Sequence, residues 1–240
     1  MKMEHQQNPE VWEDVFSKLP DEARMCRHHF SQYVRDRLCD NYFHCSDCAI
    51  NTNVQRLEVS RMRDGWRKKT AEYMVYGISV PSDRLYHRGH TWVKNETDDI
   101  FMVGIDDFAA RLIGKPDTVD LPDTGSEVTA NEPALRMQKQ NADIHILSPL
   151  TGTVIDTRNP DKGWYLKIKT GSNGESTKHL LQGVEVKRWM MKELERLQHA
   201  LSDEELGTSF SDGGVLLDDL PVSHPDIDWN RVYKEIFLQP

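Results

Sequence analysis

The sequence of 240 residues lacks any run of about 18 apolar residues, which a membrane-spanning helix would need. Its first residues, MKMEHQQNPEVWED, contain no apolar stretch of the kind found in secretory signals. From these two absences we expect a cytoplasmic protein without a membrane span. The mean hydropathy of -0.67 is low, but six Trp, seven Tyr and seven Phe supply the large side chains of a folded core.

The sequence also lacks the common catalytic and nucleotide-binding motifs. It contains no G-x-S-x-G, no phosphate-binding P-loop, no G-x-G-x-x-G fingerprint and no H-E-x-x-H. The acidic pairs Asp106–Asp107 and Asp218–Asp219 consist of sequence neighbours, which do not face each other and favour turn or cap positions. We therefore predict that the protein is not an enzyme.

The balance of charges argues against nucleic acid as the main partner. The net charge is -9 at pH 7, and the acidic excess lies in residues 81–240, because residues 1–80 contain equal numbers of basic and acidic side chains. Such a surface repels a phosphate backbone. Binding of nucleic acid through the basic run Arg67, Lys68 and Lys69 is a minor alternative. We expect protein partners, and a homo-oligomer stays open.

Cysteine is absent outside one short segment. Cys26, Cys39, Cys45 and Cys48 lie within 23 residues. Disulfides are uncommon in a reducing cytoplasm, so this cluster favours coordination of a metal by four thiolates. The spacing C-x12-C-x5-C-x2-C is not a standard two-knuckle pattern and does not identify the metal. We expect zinc first, with an iron–sulfur cluster as the alternative and unligated thiols also open.

Histidines near the cysteines could replace one thiolate, namely His28, His29 or His44. Four protein ligands would leave no open position on the metal for catalysis. We therefore expect a structural role, in which the metal stabilises a segment that has no evident core of its own.

Hydrophobic periodicity divides the chain into three parts. Residues 1–80 form a helical segment with the Cys cluster, 81–182 a β domain, and 183–240 C-terminal helices that pack on it. Helices are expected at 8–18, 28–38, 53–76, 184–202 and near the C-terminus. Strands are expected at 91–94, 100–105, 117–121, 134–138, 144–147, 152–156 and 164–169. Many short strands separated by turn residues predict an α+β protein with a β-sandwich or flattened barrel.

Five motifs in the strand-rich part occur in a characteristic order. They are Y-x-x-x-H-x-W-V at 86–93, V-G-I-x-D-x-A at 103–109, G-x-x-x-x-V-x-L-P-x-x-G-x-x-V at 114–128, S-P-L-x-G-x-V at 148–154 and G-W-x-x-K-I at 163–168. In these motifs the segment resembles the H protein of the glycine cleavage system, a lipoyl-domain fold. The resemblance implies a tight hairpin with a lipoylated lysine that swings between partner active sites. It also implies a packed, structural position for His90.

The hairpin lysine of that family is replaced in this sequence. The family motif E-S-x-K-A places the lysine seven residues before the Ser of S-P, and counting back from Ser148 gives Asn141, followed by Ala142. A carboxamide cannot be acylated by lipoate, so the resemblance implies the fold without its lipoyl group. Lys139 is a less favoured lipoylation position, and without lipoate we expect it to be an exposed hairpin lysine.

The Cys-bearing segment resembles N-terminal additions in a bacterial group of H-like proteins, which implies architecture but no activity. We therefore expect a non-lipoylated, H-protein-like interaction or scaffold protein with a structural metal site. Two alternatives stay open. One is a lipoyl carrier that uses Lys139, and the other is an accessory protein with a redox-active iron–sulfur cluster.

Overall fold

The computed structural model describes residues 11–63, 73–158, 163–171, 177–201 and 219–239. The helices are α1 (Trp12–Lys18), α2 (Arg27–Phe30), α3 (Ala49–Arg63), α4 (Asp107–Ile113), α5 (Val184–Leu201), α6 (Leu220–Ser223) and α7 (Trp229–Ile236). The strands are β1 (Tyr73–Val75), β2 (Ile78–Val80), β3 (Leu85–Tyr86), β4 (Thr91–Asn95), β5 (Ile100–Ile105), β6 (Thr118–Asp120), β7 (Glu127–Val128), β8 (Pro133–Lys139), β9 (Ala142–Leu147), β10 (Gly152–Thr157) and β11 (Leu166–Lys169). The basic run at 67–69 lies outside the described residues.

The strands form antiparallel sheets of six, three and two strands. The six-stranded sheet has the order β3-β4-β5-β11-β10-β7, the three-stranded sheet the order β6-β8-β9, and β1 pairs with β2. Val103 and Ile168 of the first sheet share one hydrophobic core with Met137 and Ile144 of the second. In the described part of the chain, neither sheet closes on itself. The predicted α+β class is confirmed, in its sandwich form rather than as a barrel.

The seven predicted strands are all present, with ends shifted by no more than two residues. Two predictions in the first part are wrong. The helix expected at 28–38 ends at Phe30, because the chain leaves the helical conformation and Gln32 has a left-handed φ of 64°. The helix expected at 53–76 does not reach its predicted end, because residues 73–75 form strand β1 and pair with β2.

Close packing of backbone explains two glycines within the strands. A Cβ atom at Gly104 would lie 2.5 Å from the Trp92 ring, and one at Gly152 would overlap the carbonyl oxygen of Lys169. Both positions therefore require the residue without a side chain, as expected for the points where backbone and neighbouring groups approach most closely.

Several helices pack against strands: α7 contacts β9, α4 contacts β2 and α5 contacts β1. The apolar side of α5 is buried, as its periodicity predicts, and α5 contacts α2 and α7. Contrary to expectation, the first part has a small core, made of Trp12, Val15, Phe16, Leu19, Ala23 and Phe43 with Leu147 and Leu238. The domain boundaries at residues 80 and 182 stay a prediction. None of the described helices is long and apolar enough to cross a membrane.

Candidate functional site

The hairpin of β8 and β9 is tight, as the resemblance implies, and its tip has two residues. Lys139 pairs with Ala142 as the last pair of the ladder, which leaves Gln140 and Asn141 to make the turn. Gln140 has a left-handed φ of 52°, as tight hairpin turns require. Both tip residues are exposed. The tip therefore presents two carboxamides to solvent and no amine.

Neighbouring elements hold this tip in place. The backbone N–H of Gln140 donates to Asp117 Oδ2 at 2.6 Å. The side chain of Asn230, on α7, accepts from the N–H of Asp143 at 3.1 Å and donates to the carbonyl oxygen of Asn141 at 3.5 Å. The C-terminal helix thus contacts the place where a lipoyl lysine would begin.

Lys139 is not the exposed hairpin lysine that the sequence analysis expects. Lys139 is only 6% exposed. Its Nζ donates to Asp219 Oδ2 at 2.8 Å and to the carbonyl oxygen of Lys115 at 2.9 Å. The alternating pleat of β8 directs Lys139 to the same buried side as Met137. Acylation of this nitrogen would remove the charge that pairs with Asp219.

The position of Asp219 depends on a glycine. Gly114 ends α4 with φ 63°, and a Cβ atom there would overlap the carboxylate of Asp219. Asp219 itself has a left-handed φ of 55° at the start of α6. Gly114 therefore leaves the space through which the Asp219 carboxylate reaches Lys139.

The four cysteines form a second candidate site. Met25 and Leu38 form an isolated antiparallel β-bridge, and Cys26 and Cys39 are the residues that follow these two partners. Cys48 immediately precedes α3. All four thiols are free. Among the described residues, no three His, Cys, Asp or Glu side chains form a ready-made metal-binding group. The structure therefore leaves the predicted metal untested.

Burial raises the pKa of Cys26, and the neighbouring charges of Cys39 and Cys48 raise it further. Burial also raises the pKa of Cys45 to about 11, against the opposing effect of Arg88 and Arg27. At both thiols burial is the main cause, and the neighbouring cysteines act in the same direction. Thiols with raised pKa values are protonated and unreactive at neutral pH.

Of the three histidines near the cysteines, His28 and His29 form hydrogen bonds with other groups, and the His44 ring lies 6.4 Å from that of Tyr42. Nε2 of His28 shares a hydrogen bond of 2.9 Å with Asn51, whose side-chain amide donates to the carbonyl oxygen of Cys45. Nδ1 of His29 accepts from the backbone N–H of Asp36. Each bond occupies one ring nitrogen, and Nδ1 of His28 has no hydrogen-bond partner in the described part of the chain, so the substitution of a histidine for one thiolate stays a prediction.

Arg88 is a further residue of this site, and the sequence does not indicate it. Arg88 is 4% exposed, and its guanidinium lies 3.9 Å from the centre of the Phe43 ring. Burial lowers the pKa of Arg88, while the charges of Cys45 and Cys39 raise it. Burial of an arginine depends on contacts between distant segments, so no local pattern indicates it.

His90 occupies the packed position that the resemblance implies. It is fully buried, its Nδ1 lies 2.9 Å from Asp106, and its Nε2 lies 3.5 Å from Glu193. Burial lowers the pKa of His90, but the two carboxylates outweigh burial and raise the pKa to about 9. Glu193 also pairs with buried Arg196. The imidazolium therefore ties the start of α4 to α5.

Comparison with known proteins agrees with this architecture. A family model described as glycine cleavage H-protein matches residues 84–193. The glycine cleavage system H protein of Pseudoalteromonas translucida is 33% identical over an alignment that covers 40% of this chain and 85% of the relative. That of Geobacillus thermodenitrificans is 25% identical, with 57% of this chain and 100% of the relative covered.

A solved structure is also similar to part of the chain. It is the crystal structure of a glycine cleavage system H protein from Mycobacterium marinum, with 21% sequence identity and a TM-score of 0.37. The match covers 43% of this chain and 92% of that chain.

Proposed function

Since this chain belongs to the glycine cleavage H-protein family, we propose that it is a non-lipoylated member that binds protein partners and carries no acyl arm. The hairpin tip is the observation that carries this proposal. It presents the carboxamide of Asn141, and the ammonium of Lys139 is buried against Asp219. An amide nitrogen is not a nucleophile, so lipoate cannot be attached to Asn141.

The outer side of the hairpin supports a binding role. Arg136 and Asp143 form an exposed ion pair of 2.6 Å there, and His145 is half-buried beside them. Asn230 fixes the tip, so this surface loses little conformational entropy when a partner binds. The relatives are named after the glycine cleavage system, and the other proteins of that system are the partners that we propose to test first.

We further propose that the chain is not an enzyme. The buried His90 has the carboxylate partners of an acid–base residue, but it is shielded from solvent and cannot reach a substrate. A cytoplasmic location suits the four free cysteines, since a reducing compartment keeps thiols reduced. Lipoylation of Lys139 would require its ion pair with Asp219 to break, which disfavours the carrier alternative.

Lipoylation is tested by intact mass after co-expression with a lipoate–protein ligase and free lipoate. The wild-type chain should keep its unmodified mass. The variant N141K should gain a lipoyl group, because it restores an amine at the exposed tip, and N141Q should not. An authentic glycine cleavage H protein serves as the positive control. A lipoyl group on the wild-type chain would refute the proposal.

Partner binding is tested by surface plasmon resonance with the purified glycine cleavage proteins of the same organism. R136E should weaken binding, because it reverses one charge on the outer side of the hairpin. K94E is the matched control, since Lys94 also forms an exposed 2.6 Å pair, with Asp83, away from the hairpin. Equal loss of binding in both variants, or no binding by the wild type, would contradict an interaction role for the hairpin.

A further inference from the structure

Arg88 is a buried cation, only 4% exposed. No carboxylate among the described residues pairs with it, and its Nε has no hydrogen-bond partner. An Nη atom of Arg88 donates to the carbonyl oxygen of Met25 at a long 3.4 Å. A buried charge is costly unless it is paired, so this side chain indicates a missing anion.

The cysteine cluster is the group beside that cation. Arg88 stacks on Phe43, and the backbone N–H of Phe43 contacts Cys39 Sγ at 3.4 Å. Cys26 directly follows Met25, which accepts the hydrogen bond from Arg88. Cys45, Cys39 and Cys26 act electrostatically on the Arg88 guanidinium, and no carboxylate in the described part of the chain pairs with it.

The contrast with Arg27 supports this assignment. Arg27 is also buried near the cysteines, but it forms an ion pair with Glu185 at 2.7 Å and donates to the carbonyl oxygen of Lys178. One of the two buried guanidiniums is therefore neutralised by the fold itself. Arg88 requires its negative charge from another source.

We propose that Cys26, Cys39, Cys45 and Cys48 bind one zinc ion as thiolates and that Arg88 is the counter-cation of this centre. Four thiols lose four protons when they bind Zn²⁺, so the centre carries two negative charges. The guanidinium of Arg88 neutralises one of them. The positive end of α3, which Cys48 directly precedes, reduces the cost of the other.

In the described part of the chain the four thiols do not form a preassembled ligand set. Binding therefore requires rotation of cysteine side chains toward a common point. Their loops already contain two residues in a left-handed conformation, Tyr42 and Phe43, with φ of 47° and 63°. A zinc ion would join the β-bridge, these loops and the start of α3, and so would link the first part of the chain to the β domain through Arg88.

The test measures zinc content and affinity on the full chain. Protein purified under reducing conditions should contain about one zinc per chain by mass spectrometry of the metal. Thiol-reactive reagent should release that zinc, and Co²⁺ should replace it with the visible spectrum of tetrahedral thiolate coordination. The double variant C45S/C48S should lose the metal while far-UV circular dichroism still reports the folded β domain.

Two arginine variants test the counter-cation. R88M should weaken zinc binding about 10- to 100-fold and keep the tetrahedral Co²⁺ spectrum, because the ligands themselves are unchanged. R88K should retain much of the affinity. R84M is the matched control, since Arg84 also stacks on a ring, that of Trp92 at 4.1 Å, but is partly exposed.

Four freely titrating thiols without bound metal would overturn the site. Iron with acid-labile sulfide in anaerobically purified protein would overturn the assignment of zinc. Equal zinc affinity in R88M and wild type would overturn the role of Arg88. Each of these results is independent of whether the hairpin is lipoylated.

Discussion

The buried His90 makes the stability of the fold depend on pH. Its imidazolium lies between Asp106 and Glu193, and these carboxylates raise its pKa from 6.5 to about 9 against the opposing effect of burial. Because the folded chain holds this proton more tightly than the unfolded chain, the stabilisation is complete below pH 6.5. It is lost as the pH rises through about 9.

The size of this effect follows from the same two values. A change from 6.5 to about 9 corresponds to about 3 kcal/mol in the free energy of unfolding. That is a large share of the stability of a typical domain.

Urea unfolding followed by tryptophan fluorescence, at a series of pH values between 6.5 and 9, measures this loss. The wild type should lose up to about 3 kcal/mol across the range. H90Q should be less stable at pH 6.5 and nearly independent of pH, while H145Q, a change at a half-buried histidine, should follow the wild type. The assigned role of His90 would be refuted if the free energy of unfolding fell equally with pH in H90Q and wild type. It would also be refuted if the free energy of unfolding of the wild type did not change between pH 6.5 and 9.

Two further changes test the support of the hairpin. K139M should lower the free energy of unfolding, measured with urea, by about 2 kcal/mol, because it leaves Asp219 partly buried and unpaired. The control K94M, which removes an exposed ion pair, should lower it by less than about 1 kcal/mol. G114A should lower the melting temperature and the free energy of unfolding, the latter by about 1–3 kcal/mol, since alanine is strained at φ 63° and its Cβ would displace Asp219. A melting temperature equal to that of the wild type would contradict the close contact between position 114 and Asp219.

Seven strands of the sandwich could be predicted because each carries its own signal, whereas the two-residue strands β3 and β7 were missed. Alternating apolar residues and turn residues at the ends mark β4, β5 and β8 through β11 in the sequence itself. Helix α4 was missed because its seven residues are too few to show a clear helical period. Asp106, expected at a turn or cap, is indeed the N-cap of α4 and accepts from the N–H of Ala109 at 2.8 Å.

The candidate site was predictable only in part. The position of Asn141 at the tip follows from the motif spacing, and the hairpin register agrees with it. The burial of Lys139 had a local signal, since it shares the inward side of β8 with Leu135 and Met137. Its partner Asp219 lies 80 residues further along the chain, so the ion pair itself depends on tertiary packing. The burial of Arg88 also depends on tertiary packing and has no local signal in the sequence.

The most direct test of the central claim uses the protein as cells make it. Tandem mass spectrometry of the peptide that spans β8 and β9, isolated from the native organism grown with lipoate available, reads the chemical state of the tip. We predict that Lys139 and Asn141 are both unmodified. A lipoyl group on Lys139 would contradict the account and would make the chain an acyl carrier of its family.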